Sequence, residues 1–316
     1  MAASLLFPAL GPSRAQVETS SKSIRLVVPY PPGGFTDILA RLLAAPLGAK
    51  LGTNVIVDNR SGGAGTIGTS YVVRSPADGK TLGIVANDLA INETLMAGRV
   101  PYDARKDLAP VAHVALSPMV LVINPKLPIQ SFSELISTAK SRPGSLTFGS
   151  TGNGTGGHLA LAMLNLRAKI DIAHIPYRGN GPAIQDLVGG QFHGMFIQYA
   201  VAKPYIAAGV LRALATPSAD RMKAMPDVPT VAESGFAGFR VMPWFGIAAP
   251  AGTPAPVIAH LNKEIFQVVH TPALLARLSE LGAEAHTLSP AEFSHLIDRE
   301  IRDWGELIRT AGIKAE

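Results

Sequence analysis

The chain has 316 residues, enough for a generous core and, at ordinary domain size, about two domains. Hydrophobic residues make up 47% of it and charged residues 16%, which excludes a disordered polymer. A net charge of +5 suits an anionic partner, but no block of Lys and Arg is present and aromatics are only 6%, so the pattern of a nucleic-acid binder is missing.

Residues 2–10 form an apolar run, and Ser13-Arg14-Ala15 fits the small-x-small rule for cleavage before Gln16. No basic segment precedes the run, so residues 1–15 read as a truncated signal peptide in preference to a plain apolar tail. The absence of cysteine removes disulfides, thiolate metal sites and a cysteine nucleophile together. No later stretch approaches the roughly 20 apolar residues of a membrane span.

The first predicted element is a buried parallel strand at 24–28 (IRLVV), stopped by Pro29. Ile38, Leu39, Leu42, Leu43 and Leu47 then recur at helical spacing, with Thr36 or Asp37 as a cap and Pro46 expected to kink or shorten the helix. A strand at 55–58, a glycine turn at 62–68, a helix near 66–73 and a strand at 81–86 continue the alternation, which implies a mostly parallel sheet covered on both faces. The rhythm restarts after Pro118. A strand at 119–123 ends in Asn124-Pro125, and a helix at 131–141 opens with the capping-box pair Ser131 and Glu134. Strand 146–150, helix 158–166, strand 172–175, helix 182–188 and strands 195–198 and 211–215 complete a second unit. Residues 246–250 read as the return crossing, and the helical periods of 256–313 are expected to pack back on the first unit. No repeat or low-complexity linker interrupts the chain. The organisation expected is therefore one lobe from 16–118 with 245–316 and a second from 119–244.

Two loops carry the chemistry: 29–37 (PYPPGGFTD) and 149–158 (GSTGNGTGGH), each leading from an apolar run into an amphipathic segment. A strand-to-helix turn without bulky side chains lets backbone N–H groups face a ligand, and the new helix adds its positive dipole end. Two such loops, half a chain apart, suit a small acid held between two lobes.

Three other readings compete. Gly63-Ala64-Gly65-Thr66-Ile67-Gly68 matches the dinucleotide pattern, with Asp88 placed 20 residues beyond Gly68. Gly152, Gly154 and Gly157 match the same pattern, however, and the first match starts several residues after its strand, so a plain packing turn is the commoner explanation. A hydrolase could pair Ser150 with His158 and an orienting Asp37 or Asp88, although no G-x-S-x-G elbow exists. The eight histidines show no tight metal-ligand spacing. Arg178 is either a bidentate carboxylate partner or a solvated loop residue, and Tyr177 and Trp244 are either pocket walls or core.

The order and spacing of IRLVVPYPPGGFTDILAR, VDNRSGGAGTIG, SPADGKTL, the GNGT and HL pieces of the second loop, HIPYRGNGPAIQDLVGGQ and GVLRALA resemble the periplasmic receptors of tripartite tricarboxylate transporters, the Bug or TctC-like family. The resemblance runs nearly chain-long. It implies an α/β, two-lobed periplasmic-binding-protein fold of type II kind, closing on a small organic carboxylate. No cofactor, catalysis or metal is implied, and the protein would act as a periplasmic monomer that serves membrane transporter subunits. A ligand-sensing module for a signalling partner is the alternative use of the same fold. Transferred to this sequence, the first loop would contribute Pro32, Gly33, Gly34, Phe35, Thr36 and Asp37, the second Ser150, Gly152, Asn153, Thr155 and His158. Asn87, Tyr177, Gly179 and Gln198 would complete the ligand-binding set. Family members often carry aspartate after the strand phenylalanine where this chain reads Phe196-Ile197-Gln198, so Ile197 is expected to disfavour an amino-acid ligand.

Overall fold

The computed structural model describes residues 23–314, so the signal-peptide reading of 1–15 lies outside the described residues. In chain order the first elements are β1 (Ile24–Val28), α1 (Phe35–Leu51), β2 (Val55–Asn59), α2 (Thr66–Val73), β3 (Thr81–Ala86), α3 (Asp88–Leu95), β4 (Leu108–Leu116) and β5 (Met119–Ile123). Then come α4 (Phe132–Ser141), β6 (Leu146–Ser150), α5 (Gly156–Ala168), β7 (Ile172–Pro176), α6 (Asn180–Gly189), β8 (Gly194–Gln198), α7 (Tyr199–Ala207) and β9 (Arg212–Ala215). The chain ends with β10 (Trp244–Pro250), α8 (Ala255–Val269), α9 (Pro272–Glu280), β11 (Glu284–Leu288) and α10 (Pro290–Ala311).

The strands form two sheets, ordered β11-β4-β10-β3-β1-β2 and β7-β6-β8-β5-β9. Most strands in each run one way, as the alternating pattern predicts, but β10 lies antiparallel to both β3 and β4, and β5 antiparallel to both β8 and β9. Both sheets are therefore mixed. The reversal follows from connectivity: β5 enters the second sheet only two residues after β4, and β10 returns to the first, with no crossover helix to restore direction.

Each sheet buries both faces, which explains its nearly continuous apolar strands. Leu26, Val28, Leu82 and Ile84 pack with Leu39 and Leu43 of α1 and Leu261 and Ile265 of α8, while Val27, Val85 and Trp244 face Phe293 and Ile297 of α10. In the second sheet Leu121, Phe148 and Phe196 meet Leu164 of α5, and Val120, Val122, Met195 and Ile197 meet Leu187 of α6. Trp244, 2% exposed, is thus core.

Local chemistry accounts for the element ends. Ser131 caps α4 by accepting from Glu134 N at 3.2 Å, but the Glu134 carboxylate reaches Gln130 N at 2.7 Å, a capping box shifted by one residue. Pro46 does not shorten α1, which runs on to Leu51 and ends at Gly52 in the left-handed region. An interior proline costs about 3 kcal/mol; the complete burial of Leu43 and Leu47 on either side of it offsets that cost. The helical periods of 256–313 resolve into three helices and the edge strand β11, whose polar sequence EAHTL hides it from a hydrophobicity reading.

Candidate functional site

Five helices begin at one cavity. Gly34, Asn87, Thr155, Gly179 and Gln198 are the N-cap residues of α1, α3, α5, α6 and α7, and all five line one cavity. At none of them does the cap side chain accept a hydrogen bond from its own helix. Tyr199 N of α7 already donates to Pro118 O at 2.9 Å and Pro182 in the first turn of α6 has no N–H; the other orphan N–H groups of the first turns are open to a guest, and each positive helix end favours an anion by about 0.3–1 kcal/mol, more when partly buried. The α3 end is the exception, since the Asp88 carboxylate accepts from its own N–H and that of Leu89.

The first glycine loop is held from below. Asp37, 4% exposed, accepts from Gly33 N at 3.0 Å, Arg41 Nε at 3.0 Å and Asn59 Nδ2 at 3.0 Å. Burial works to raise its pKa, but the hydrogen bonds from Arg41, Gly33 and Asn59 outweigh it and leave the carboxyl below its ordinary range. Gly34, Phe35 and Thr36 line the cavity, whereas Pro32, Gly33 and Asp37 do not. Asp37 is placed to position the loop.

The second loop is a similar knot. Ser150, fully buried, shares hydrogen bonds with Gly152 N at 3.1 Å, Gly152 O at 3.0 Å and His174 Nε2 at 2.7 Å. His158 Nδ1 accepts from Gly154 N at 3.2 Å, and its ring stacks on His174 with centroids 4.1 Å apart. Burial lowers both imidazoles, His158 to about 4 and His174 to about 3, so both are neutral near pH 7. Thr155 reaches the first cavity; Ser150, Asn153 and His158 line neither cavity.

Several wall residues lie outside the ligand-binding set expected from the sequence. Tyr30, Pro31, Ala86, Asp88, Thr151, Gly156, Asn180 and Phe245 also line the cavity. Asn180 and Thr151 stand beside glycines already singled out, whereas Phe245 arrives on the distant return strand β10 and carries no local signal. Asp88, 7% exposed, is the one acidic side chain on the wall; burial pushes its pKa up to about 6 although the Tyr30 hydroxyl donates to it. Asn87 lines the cavity, and its Nδ2 amide is buried without a hydrogen-bond partner.

A second cavity, of about 470 Å³, adjoins the first along Tyr30, Pro31, Thr151 and Gly179. Gly152, Tyr177 and Arg178 line it opposite the glycine turn 62–65 and Ile67. The dinucleotide pattern in that turn has a steric origin. A Cβ on Gly65 would meet Asp88 Oδ2 at 2.8 Å, and one on Gly68 would meet Pro29 Cα at 2.7 Å. Asp88 is therefore a packing partner of Gly65, committed to Tyr30, with no freedom to receive a ribose. The hydrolase reading also loses its geometry. Ser150 pairs with His174, His174 Nδ1 has no partner, and the hydroxyl is sealed from any substrate. Among the described residues no group of three or more His, Cys, Asp or Glu gathers to hold a metal ion.

Two helix-covered sheets with a cavity at the convergence of helix N-termini define a two-lobed solute-binding protein. Residues 39–313 match the family described as tripartite tricarboxylate transporter family receptor. Protein BugT of Bordetella pertussis is 39% identical over 296 residues, which cover 93% of this chain and 90% of that one. Rpa4515 of R. palustris, solved with adipate, superposes with a TM-score of 0.90 at 35% identity, covering 94% of this chain and 99% of that one. MatC of Rhodopseudomonas palustris, with bound malate, gives 0.85 at 31%, covering 90% and 98%. The chain belongs to the tripartite tricarboxylate transporter receptor family, a family of periplasmic substrate-binding receptors rather than enzymes.

Proposed function

We propose that this chain is a periplasmic receptor that captures a small organic carboxylate between its lobes and delivers it to the membrane subunits of a tripartite tricarboxylate-type transporter. The observation that carries this is the convergence of five helix N-termini on one cavity, four of them with no capping bond from a side chain of their own helix. The lobes are read as 16–118 with 245–316 and 119–244; among the described residues each holds one sheet, with β10 of the first sheet beginning one residue earlier, at Trp244. Gly34, Thr36, Asn87, Thr155, Gly179 and Gln198 act as the ligand contacts; Asp37, Ser150 and His158 hold the loops in shape. Adipate and malate in structures of similar proteins support a dicarboxylate.

The energetics are consistent with that role. Micromolar binding takes about 8 kcal/mol, and four open helix ends supply a few kcal/mol of it by charge alone. Direct N–H donors and bridging waters supply the remainder.

Thermal unfolding against a panel of mono- and dicarboxylates tests the reading, because a ligand at 100 times its dissociation constant adds about 2.7 kcal/mol of stability. At least one carboxylate is expected to raise the midpoint while NADH leaves it unchanged; stabilisation by NADH alone would overturn the reading. Delivery is tested by uptake of the radiolabelled ligand in cells with and without this chain.

A further inference from the structure

The last turns of α10 belong to the first lobe by sequence but pack against the second. Gly305 seats the helix on its first-lobe neighbour α3, so closely that a Cβ there would stand 2.8 Å from Thr94 Oγ1. The side face of α10 then reaches across. Trp304 and Leu307 pack on the core that holds Leu121, Phe148 and Leu164, a cluster whose other members all come from residues 119–241. Ile308 gathers Ile91 and Leu95 of α3 and Leu159 of α5 into one further cluster. Trp304 also packs with the first-lobe cluster of Val85, Trp244 and Phe293, so one indole touches both cores.

This seam starts where the chain crosses between the sheets and continues away from there. Ser117 N donates to Pro243 O at 3.0 Å, which joins the two crossing segments. The half-buried Glu300 carboxylate accepts from the Trp304 indole and faces that of Trp244, the neighbour of Pro243. From Glu300 to Ile308 the helix extends about 12 Å farther. The seam also backs the second glycine loop, since a Cβ on Gly154 would collide with Asn92 Oδ1 and stand 3.4 Å from Leu95 Cδ2. In the same conformation the cleft is shut: a Cβ on Gly179 would stand 3.0 Å from Pro31 Cγ of the facing loop.

We propose that Trp304 and Leu307 form an interlobe brace that favours the closed arrangement and so sets the affinity for every ligand without touching one. Neither residue lines either cavity, so both act as positioning residues. Apparent affinity scales with the fraction of chains able to close, and apolar contacts made in the closed arrangement raise that fraction. This rests on the two-lobed carboxylate receptor read above and adds to it the contacts that govern its closing equilibrium.

Calorimetric titration of the full chain with adipate and malate, together with spin-label distances between Arg74→Cys and Gln185→Cys, tests it. The chain has no cysteine of its own, and both positions are exposed, on α2 and α6, and line neither cavity. Leu307→Ala is expected to weaken both acids by one common factor, about tenfold, and to lengthen the mean label separation at any subsaturating adipate concentration. Leu307→Met, which keeps the volume, is expected to stay within about twofold of wild type. Trp304→Phe, a smaller cut at the same seam, is expected to shift both readings the same way by about threefold, and it decides the matter should Leu307→Ala fail to fold. A lower melting temperature with unchanged affinity, tighter binding, or unequal losses for the two acids would overturn the brace and leave the carboxylate receptor standing. Should wild type bind neither acid, the carboxylate reading falls and the ligand-free label distances decide the brace: equal separations in wild type and Leu307→Ala overturn it, and a longer separation in the variant supports it.

Discussion

Gly34, the N-cap of α1, and Asn180, the first residue of α6, meet across the cleft so closely that a Cβ on Gly34 would stand 2.7 Å from Asn180 Nδ2. The two helices start from opposite sheets, so this approach brings two N-termini to one cavity, and a side chain at residue 34 would have to push the Asn180 amide aside.

Gly34→Val is therefore expected to hold the helices apart. Gly34 has φ −82° and ψ 167°, extended backbone open to any residue, so folding should survive with a melting temperature within a few degrees of wild type. Affinity for every carboxylate should fall by about tenfold or more, as two N-termini no longer reach one ligand. Parallel melting and titration check it, and an unchanged affinity would show that closure does not need this contact.

Ile197 receives a different role from the one its sequence position suggests. At 1% exposure it packs with Val120, Val122, Met195 and Leu187, on the face of the second sheet turned toward α6. Gln198, one residue on, is what reaches the cavity. Ile197→Asp would bury an unpaired carboxylate at a cost of several kcal/mol. The expected result is a markedly lower melting temperature, with the succinate-to-glutamate affinity ratio unaltered in whatever folds; a folded variant with a shifted ratio would restore the selectivity role.

This contrast shows what a sequence can carry. The β1 and β6 runs, the glycine loops and the α4 cap were legible because apolar periodicity, glycine clusters and capping chemistry act within a few residues. The fate of Ile197 depended on strand register, which alternates by single residues: Val120 pairs with Ile197 and Met119 with Gln198. Phe245 and Asp88 join the wall through tertiary pairing of β10 and β3. The polar strand β11 and the short helices α3 and α7 lacked any periodic signal strong enough to announce them.

Three buried imidazoles predict acid sensitivity. Burial lowers His113 and His158 to about 4 and His174 to about 3, so the folded state keeps them neutral while the unfolded chain protonates them at ordinary values. Their contribution is fully present above about pH 6.5 and is lost as pH falls toward 4, on the order of 3 kcal/mol for His113 or His158. Urea midpoints at pH 8, 6 and 5 should fall along that series, with His158→Gln flattening part of the slope. Ser150→Ala, which removes the hydroxyl that His174 meets at 2.7 Å, should cost about 1–3 kcal/mol at any pH.

Asp88 predicts the opposite trend and couples it to the ligand. Burial raises its carboxyl to about 6 in the fold against an ordinary carboxyl when unfolded, so its ionised form costs stability above pH 6, on the order of 3 kcal/mol, and the cost disappears as pH falls to about 4. The groups facing it are the phenols of Tyr30 and Tyr102, both raised by burial and neutral throughout, while Glu93 acts on Tyr102. His158 and His174, lowered as above, do not titrate between pH 5.5 and 8. A carboxylate entering the cavity that Asp88 lines should therefore bind more tightly at pH 5.5 than at pH 8, by roughly three- to tenfold, and draw a proton onto Asp88 at pH 6–7. Asp88→Asn keeps a carbonyl for the Tyr30 hydroxyl and removes the titration. It should be more stable than wild type at pH 8, lose that advantage at pH 4, and bind with little pH dependence. Titrations in two buffers of different ionisation enthalpy count the proton directly; the same pH slope in wild type and Asp88→Asn would exclude Asp88 as its source.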